Sequence, residues 1–158
     1  MRTGTLYVVG TPLGNLGDLS ARVREILSAT PVIAAEDTRH SRKLLSAIGA
    51  SPRKLISYHA HSDAGRAETL VEILRGGADA ALITDAGTPA VSDPGGALVA
   101  LAHAAGIRVV PIPGPSAVAT ALSAGGLPAD RYTLIDSGQV TMGLGWQVVI
   151  GSEVAVFW

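Results

Sequence analysis

The sequence predicts an α/β fold, a five-stranded and mainly parallel sheet with helices on both faces, followed by an atypical C-terminal tail. Three observations carry that prediction. Five short apolar runs alternate with five stretches of helical period between Thr5 and Gly126, and such alternation builds parallel sheets. The runs end in clusters of Gly, Pro, Asp or Thr, the punctuation of strand-to-helix loops. The hydrophobic share is 47% but the aromatic share only 4%, so the core is aliphatic, as strands covered on both faces require.

Thr5–Val9 is the first strand, closed by the glycine-rich loop Gly10–Gly17. Asp18 is expected to cap the first helix, in which Leu19, Val23, Ile26 and Leu27 share a face. Pro31–Ala35 is the second strand and runs into Glu36, Asp37, Thr38, Arg39 and His40. Thr38 or Asp37 caps the second helix, Leu44, Leu45 and Ile48 face inward, and Gly49 stops it. Lys54–Tyr58 is the third strand, and the third helix runs from about Asp63 to Arg75 with Leu70, Val71 and Leu74 as its apolar positions. Asp79–Ile83, the fourth strand, opens into the loop Thr84–Gly96. A small-residue helix over Gly96–Ala105 then carries Leu98, Val99 and Leu101. Ile107–Ile112 is the fifth strand, and the segment Pro113, Gly114, Pro115, Ser116, Ala117 starts the last helix with proline at its first position.

The pattern stops after Tyr132. Leu134–Trp158 has no Lys or Arg, yet it holds both tryptophans and the one phenylalanine. Gln147–Trp158 reads either as two short strands around Gly151 and Ser152, a hairpin, or as an unpaired apolar tail.

With 158 residues the chain suits one compact domain, or one domain with part of a second. The absence of cysteine leaves no disulfide framework and no thiolate chemistry, which fits a cytoplasmic setting. Apolar runs break well before the ~20 residues of a membrane span, and Met1–Gly4 leads straight into a strand, so neither a transmembrane helix nor a signal peptide is expected. The net charge of −1 argues against a generic polyanion binder. It hides an asymmetry: residues 1–66 hold nine Arg and Lys against five Asp and Glu, whereas residues 67–158 hold three against eight. Five of the cations, Arg39, Arg42, Lys43, Arg53 and Lys54, fall in one short stretch that suits a local phosphate-facing patch.

The loop Thr84–Gly96 is the richest in chemistry. Asp85 follows a buried strand directly and suits a ligand hydroxyl or ammonium, while Ala86, Gly87 and Thr88 let backbone come close. Pro89 and Pro94 hold the preceding residues extended. The plainer alternative makes Asp85 and Asp93 turn and cap residues. The first loop, with Pro12 and Leu13, lacks the spacing of a dinucleotide or P-loop motif, and Pro12 removes an amide that a phosphate nest needs. It is a tight turn or a ligand wall. Ser116 and Ala117 open a helix, where an anion or a plain cap is equally at home. Glu36 and Asp37, followed by Arg39, Arg42 and Lys43, combine carboxylate bases with phosphate-anchoring cations, or form a solvated face. His59, His61 and Asp63 alternate at ligand-like spacing, but a metal needs three or four convergent donors. No metal site is predicted there; a polar site edge is the competing reading.

Taken together, the segments Tyr7–Leu16, Ala34–Arg39 with Arg42–Leu45, Ile56–His59, Asp85–Gly95 and Pro113–Ala117 resemble the ribosomal RNA small-subunit methyltransferase I family, a branch of the tetrapyrrole (corrin/porphyrin) methylase superfamily. The match runs in unbroken order over residues 5–132. The resemblance implies S-adenosylmethionine-dependent 2′-O-methylation of a cytidine ribose in small-subunit (16S) rRNA, and a cofactor cleft between two α/β domains in a homodimer. It places Pro12, Leu13, Asp85, Ala86, Gly87, Thr88, Pro89, Val91, Ser92, Ser116 and Ala117 at the cofactor. Glu36, Asp37 and His59 become candidate bases on the RNA side, and Arg39, Arg42 and Lys43 RNA contacts. Residues 1–132 then form the first domain. Residues 133–158 do not match the second, so about half the cleft is expected to be missing and the chain alone to lack turnover. A tetrapyrrole C-methyltransferase, and a non-catalytic domain that only dimerises or binds RNA weakly, are the alternatives.

Overall fold

The computed structural model of the chain describes residues 2–59, 64–91, 95–126, 132–136, 146–150 and 153–157. It divides into two compact units, Met1–Pro115 and Ser116–Trp158. The first holds strands β1 (Thr5–Val9), β2 (Val32–Ala35), β3 (Lys54–Ser57), β4 (Ala80–Ile83) and β5 (Arg108–Ile112) and helices α1 (Ala21–Ala29), α2 (Thr38–Ala47), α3 (Ala64–Arg75) and α4 (Gly95–Ala104). The sheet has the order β3-β2-β4-β1-β5, and every pairing in it is parallel.

Burial follows that order. The central strands β2 and β4 are buried at every position, whereas the edge strands β3 and β5 are partly open. Pro111 sits in edge strand β5, where its missing N–H costs no ladder bond on a second neighbour. Alternate residues point to opposite faces. Val9, Ile33, Ala35, Ala81, Ile83 and Ile112 meet Val23 and Leu27 of α1 and Leu45 of α2. Leu6, Val32, Ala34, Ala80 and Leu82 meet Leu70 and Leu74 of α3 and Leu98 and Ala102 of α4. The neighbours β1 and β4 therefore send their following helices to opposite faces, which opens a crevice at their carboxyl ends, the usual place for a ligand in such sheets.

Local details correct three expectations. Asp18 does not cap α1. Leu16–Asp18 is a short 3-10 turn of its own, and Ser20 caps α1 by accepting from the Val23 N–H at 3.2 Å. Leu101 of α4 faces outward, 40% exposed, because the inward stripe is set by Leu98 and Ala102, four residues apart. Proline does not begin the last helix. The cations of the proposed patch also separate: Arg39, Arg42 and Lys43 lie on α2, which descends from the carboxyl edge, while Arg53 and Lys54 lie where β3 begins. A ten-residue helix spans roughly 15 Å, so these are two groups.

The second unit contains helix α5 (Ala117–Ala124) and strands β6 (Thr133–Asp136), β7 (Trp146–Ile150) and β8 (Glu153–Phe157) in an antiparallel sheet of order β6-β7-β8. Ser116 caps α5 through its Oγ, which accepts from the Ala119 N–H at 3.3 Å, so Pro115 precedes the cap and the helix starts at Ala117. The hairpin reading of the tail is the one observed, with Ile150 opposite Glu153. The third strand, β6, has no counterpart in the sequence reading. No helix among the described residues is long and apolar enough to cross a membrane.

Candidate functional site

Three loops leave the carboxyl edge side by side after β1, β4 and β2. Backbone bonds tie the first two together: Thr11 N–H donates to Gly87 O at 2.8 Å and Gly87 N–H to Thr11 O at 3.0 Å. Gly87 holds φ +86°, a left-handed conformation that glycine adopts without strain. The Thr11 side chain, fully buried, adds a bond from Oγ1 to Thr84 O at 3.1 Å. On the other side of β1, Gly10 meets Gly114 so closely that a Cβ on Gly10 would stand 2.7 Å from the Gly114 Cα.

The β4 loop is tied to the β2 loop by two further bonds. Buried Thr84 donates from Oγ1 to Glu36 Oε2 at 2.6 Å, a short charge-assisted bond. The Asp37 N–H donates to Asp85 Oδ1 at 3.2 Å. Asp37 is also the cap of α2, its Oδ1 accepting from the Arg39 N–H at 2.7 Å. Three carboxylates thus gather at the ends of β2 and β4. Burial, first of all, pushes the Asp85 carboxyl above its ordinary range. The charges of Glu36 and Asp37 push the same way, against the Asp37 N–H and His40, which favour the ionised form.

A pocket of about 220 Å³ opens beside Asp85. The β1 loop contributes Pro12, Gly14 and Leu16 to it, and one face of α2 contributes His40, Lys43 and Leu44. Those α2 positions are spaced i, i+3 and i+4, which stacks them on one side of a helix.

The structure brings Pro12, Asp85, Lys43 and the backbone of Gly87 into one crevice. Leu13 and Val91 are exposed at its rim, Ala86 is exposed and Pro89 buried. Thr88 Oγ1 reaches only a long contact to Pro115 O, 3.5 Å. Ala90, beside them, takes a positive φ of 67° without being glycine, the kind of strain that clusters in ligand loops. Ser92, Asp93, Pro94, His61 and Asp63 lie outside the described residues. Ser116 and Ala117 open α5 of the second unit. Exposed His59 follows β3, two strands from β4, hence about 10 Å from the Asp85 strand at ordinary strand spacing. Arg39, Arg42 and Lys43 are all exposed on α2.

Sequence reasoning missed Thr11, Thr84, Leu16, His40 and Leu44. Helical spacing from Lys43 signals His40 and Leu44. Thr11 and Thr84 carry no signal until strand order makes their loops neighbours. Three of the five exposed large hydrophobic residues among the described ones, Leu13, Leu16 and Val91, belong to the two bridged loops, and apolar side chains gathered in the open mark a surface that something covers.

A family model described as Tetrapyrrole (Corrin/Porphyrin) Methylases matches residues 5–138. Among curated relatives, the ribosomal RNA small subunit methyltransferase I of Xylella fastidiosa is 54% identical over 130 residues, which is 82% of this chain and 47% of the relative. The protein of the same name from Escherichia coli O157:H7 is 53% identical over 129 residues, 82% of this chain and 45% of that one. The chain spans about half the length of the curated relatives it matches. Among solved structures, uroporphyrin-III-C-methyltransferase from Thermus thermophilus superposes with a TM-score of 0.60 at 25% identity, over 81% of this chain and 54% of the other. A cobalt precorrin-4 methyltransferase shares the fold, with a TM-score of 0.61 at 20% identity over 79% and 53%.

Proposed function

Because the chain belongs to the tetrapyrrole (corrin/porphyrin) methylase family, we propose that residues 1–132 form the first of two domains of an S-adenosylmethionine-dependent enzyme that methylates the 2′-hydroxyl of a cytidine in small-subunit rRNA. The observation that carries this reading is the crevice at the carboxyl edge, with a glycine backbone bridge and apolar rim on one side and α2, bearing Arg39, Arg42 and Lys43, on the other. Curated relatives about half identical to the chain and named for ribosomal RNA methylation support it. The basic helix favours a polyanionic substrate over a tetrapyrrole.

The residues present suit the cofactor. Pro12, Leu13 and Val91 offer apolar contact, Asp85 an acceptor for a hydroxyl or ammonium, and Ala86–Thr88 accessible backbone. Bound S-adenosylmethionine supplies an electrophilic sulfonium methyl. The pocket, at about 220 Å³, is smaller than the roughly 300–1,000 Å³ that encloses a drug-sized ligand, so this chain provides one wall of the site. Turnover then needs the half of the enzyme that the longer relatives carry.

A ribose hydroxyl is a poor nucleophile, and its proton goes to a base as the new bond forms. Glu36 is the best placed of the candidates: Thr84 orients its carboxylate, whereas Asp37 is engaged as a helix cap and His59 stands at the sheet edge. Holding hydroxyl and methyl together contributes the rest of the rate. Homodimer formation and a cytoplasmic setting belong to the same proposal.

Titrating S-adenosylmethionine into the chain while following backbone amides by NMR tests the cofactor reading. Shifts at Ala86, Gly87 and Thr88 are expected, with no methyl transfer to small ribosomal subunits by this chain alone. An absence of shifts up to about 10 mM, beyond the range of weak millimolar binding, overturns it.

A further inference from the structure

We propose that the pocket between the β1 loop and α2 receives a single nucleotide turned out of its strand, with Lys43 and His40 on the phosphate, Leu16, Pro12 and Leu44 against the base, and Asp85 on a sugar hydroxyl. The inference deepens, and rests on, the reading of this crevice as a methyltransferase site acting on RNA.

The wall chemistry is mixed in a specific way. Two basic side chains one turn apart, His40 and Lys43, stand on the α2 side, and a single carboxylate, Asp85, on the β4 side. A wholly anionic ligand would meet repulsion from Asp85, and a wholly apolar one would strand all three. A ligand with an anion at one end and hydroxyl donors in the middle satisfies both ends, the lysine acting as a point charge for phosphate. Between them the surface is apolar and open. Leu16 is 50% exposed, and the 3-10 turn keeps it there, because Asn15 Oδ1 accepts from the Gly17 N–H at 2.8 Å. An aliphatic side chain held in water suits the flat face of a base. The volume, about 220 Å³, is small enough to select one nucleotide. Arg39 and Arg42 continue the positive face beyond the pocket mouth, where the flanking phosphates of a strand would run. A paired base cannot enter such a pocket, so the target must be single-stranded or extruded.

An α-amino acid, including the amino-acid end of the cofactor, carries the same pairing of charges, and the experiment separates the two. Amide NMR of the 158-residue chain is followed on addition of cytidine 5′-monophosphate, cytidine, L-methionine and S-adenosylmethionine. Cytidine monophosphate is expected to shift Gly14, Leu16, His40, Lys43 and Leu44, and cytidine to bind about tenfold more weakly for want of the charged contact. Lys43→Ala should abolish that tenfold difference without moving the melting temperature, since Lys43 is exposed. S-adenosylmethionine should bind alongside the nucleotide and shift a separate set at Ala86–Thr88. Displacement of one by the other, methionine shifts in the pocket, or no nucleotide shifts at about 10 mM would overturn the nucleotide site and leave the methyltransferase reading standing. Nucleotide binding with no cofactor binding would do the reverse.

Discussion

Thr84→Val removes one oxygen and tests the architecture of the whole carboxyl edge. The Thr84 hydroxyl is the donor to Glu36 Oε2, at 2.6 Å, and Thr84 itself is 4% exposed. A hydrogen bond to a charged group contributes about 1.5–3 kcal/mol. Two corrections reduce that figure here. Glu36 is half-buried, so water regains part of the lost bond, and the added methyl returns up to ~0.8 kcal/mol of apolar burial. The net loss is about 1 kcal/mol, which lowers the melting temperature by roughly 2–4 °C in a chain of this size. Thr84→Ser restores the hydroxyl and should recover most of the loss. The amide signals of Glu36 and Asp37 should move in the valine variant and return in the serine one. Thermal melts and urea titrations at pH 7 provide the assay. Equal stability of wild type and valine variant, or a serine variant as impaired as the valine one, refutes the claim that Thr84 holds Glu36.

Four other outcomes follow from the same geometry. Burial raises the Asp85 pKa above 3.8, so the native state holds this proton more tightly than the unfolded chain. Its contribution favours folding at low pH and turns against it as pH rises from 3.8 through the native value. Asp85→Asn should therefore stabilise the protein at neutral pH, with the gain vanishing in urea titrations at acid pH. Gly114→Ala places a Cβ 2.8 Å from the Gly10 backbone, and the forced separation of the two loops should cost about 1–3 kcal/mol in denaturant unfolding. Ser41→Ala removes a buried hydroxyl that has no hydrogen-bond partner among the described residues; a gain of about 1 kcal/mol is expected in the same assay. Arg39→Ala with Arg42→Ala should weaken binding to rRNA of any sequence and lower the salt slope by about two, one for each phosphate contact, in filter-binding titrations.

Much of the fold was legible because its cause is local. Alternating apolar runs and helical stripes placed five strands and five helices within a residue or two, and Gly49 ended α2 where expected, with φ +72°. Errors fell where two local signals compete. Asp18 and Ser20 are both good caps, and the loop Asn15–Asp18 closes on itself first, leaving the helix to Ser20. At the last helix a proline and a serine compete, and Ser116 wins because its hydroxyl satisfies an N–H that proline cannot.

The sequence by itself determined the α/β class, the motif-bearing loops after each strand and the family they announce, since periodicity and short motifs reside in neighbouring residues. Strand order was decided only in the tertiary structure. The arrangement β3-β2-β4-β1-β5 makes neighbours of loops more than 40 positions apart, joining Thr84 to Glu36 across a separation of 48 and Thr11 to Thr84 across 73. It also splits the basic cluster between two ends of the sheet and turns His40 and Leu44 toward Asp85. Such contacts depend on which strands pair, and pairing is settled by burying two apolar faces of one sheet at once, a condition on the whole chain that no local stretch encodes.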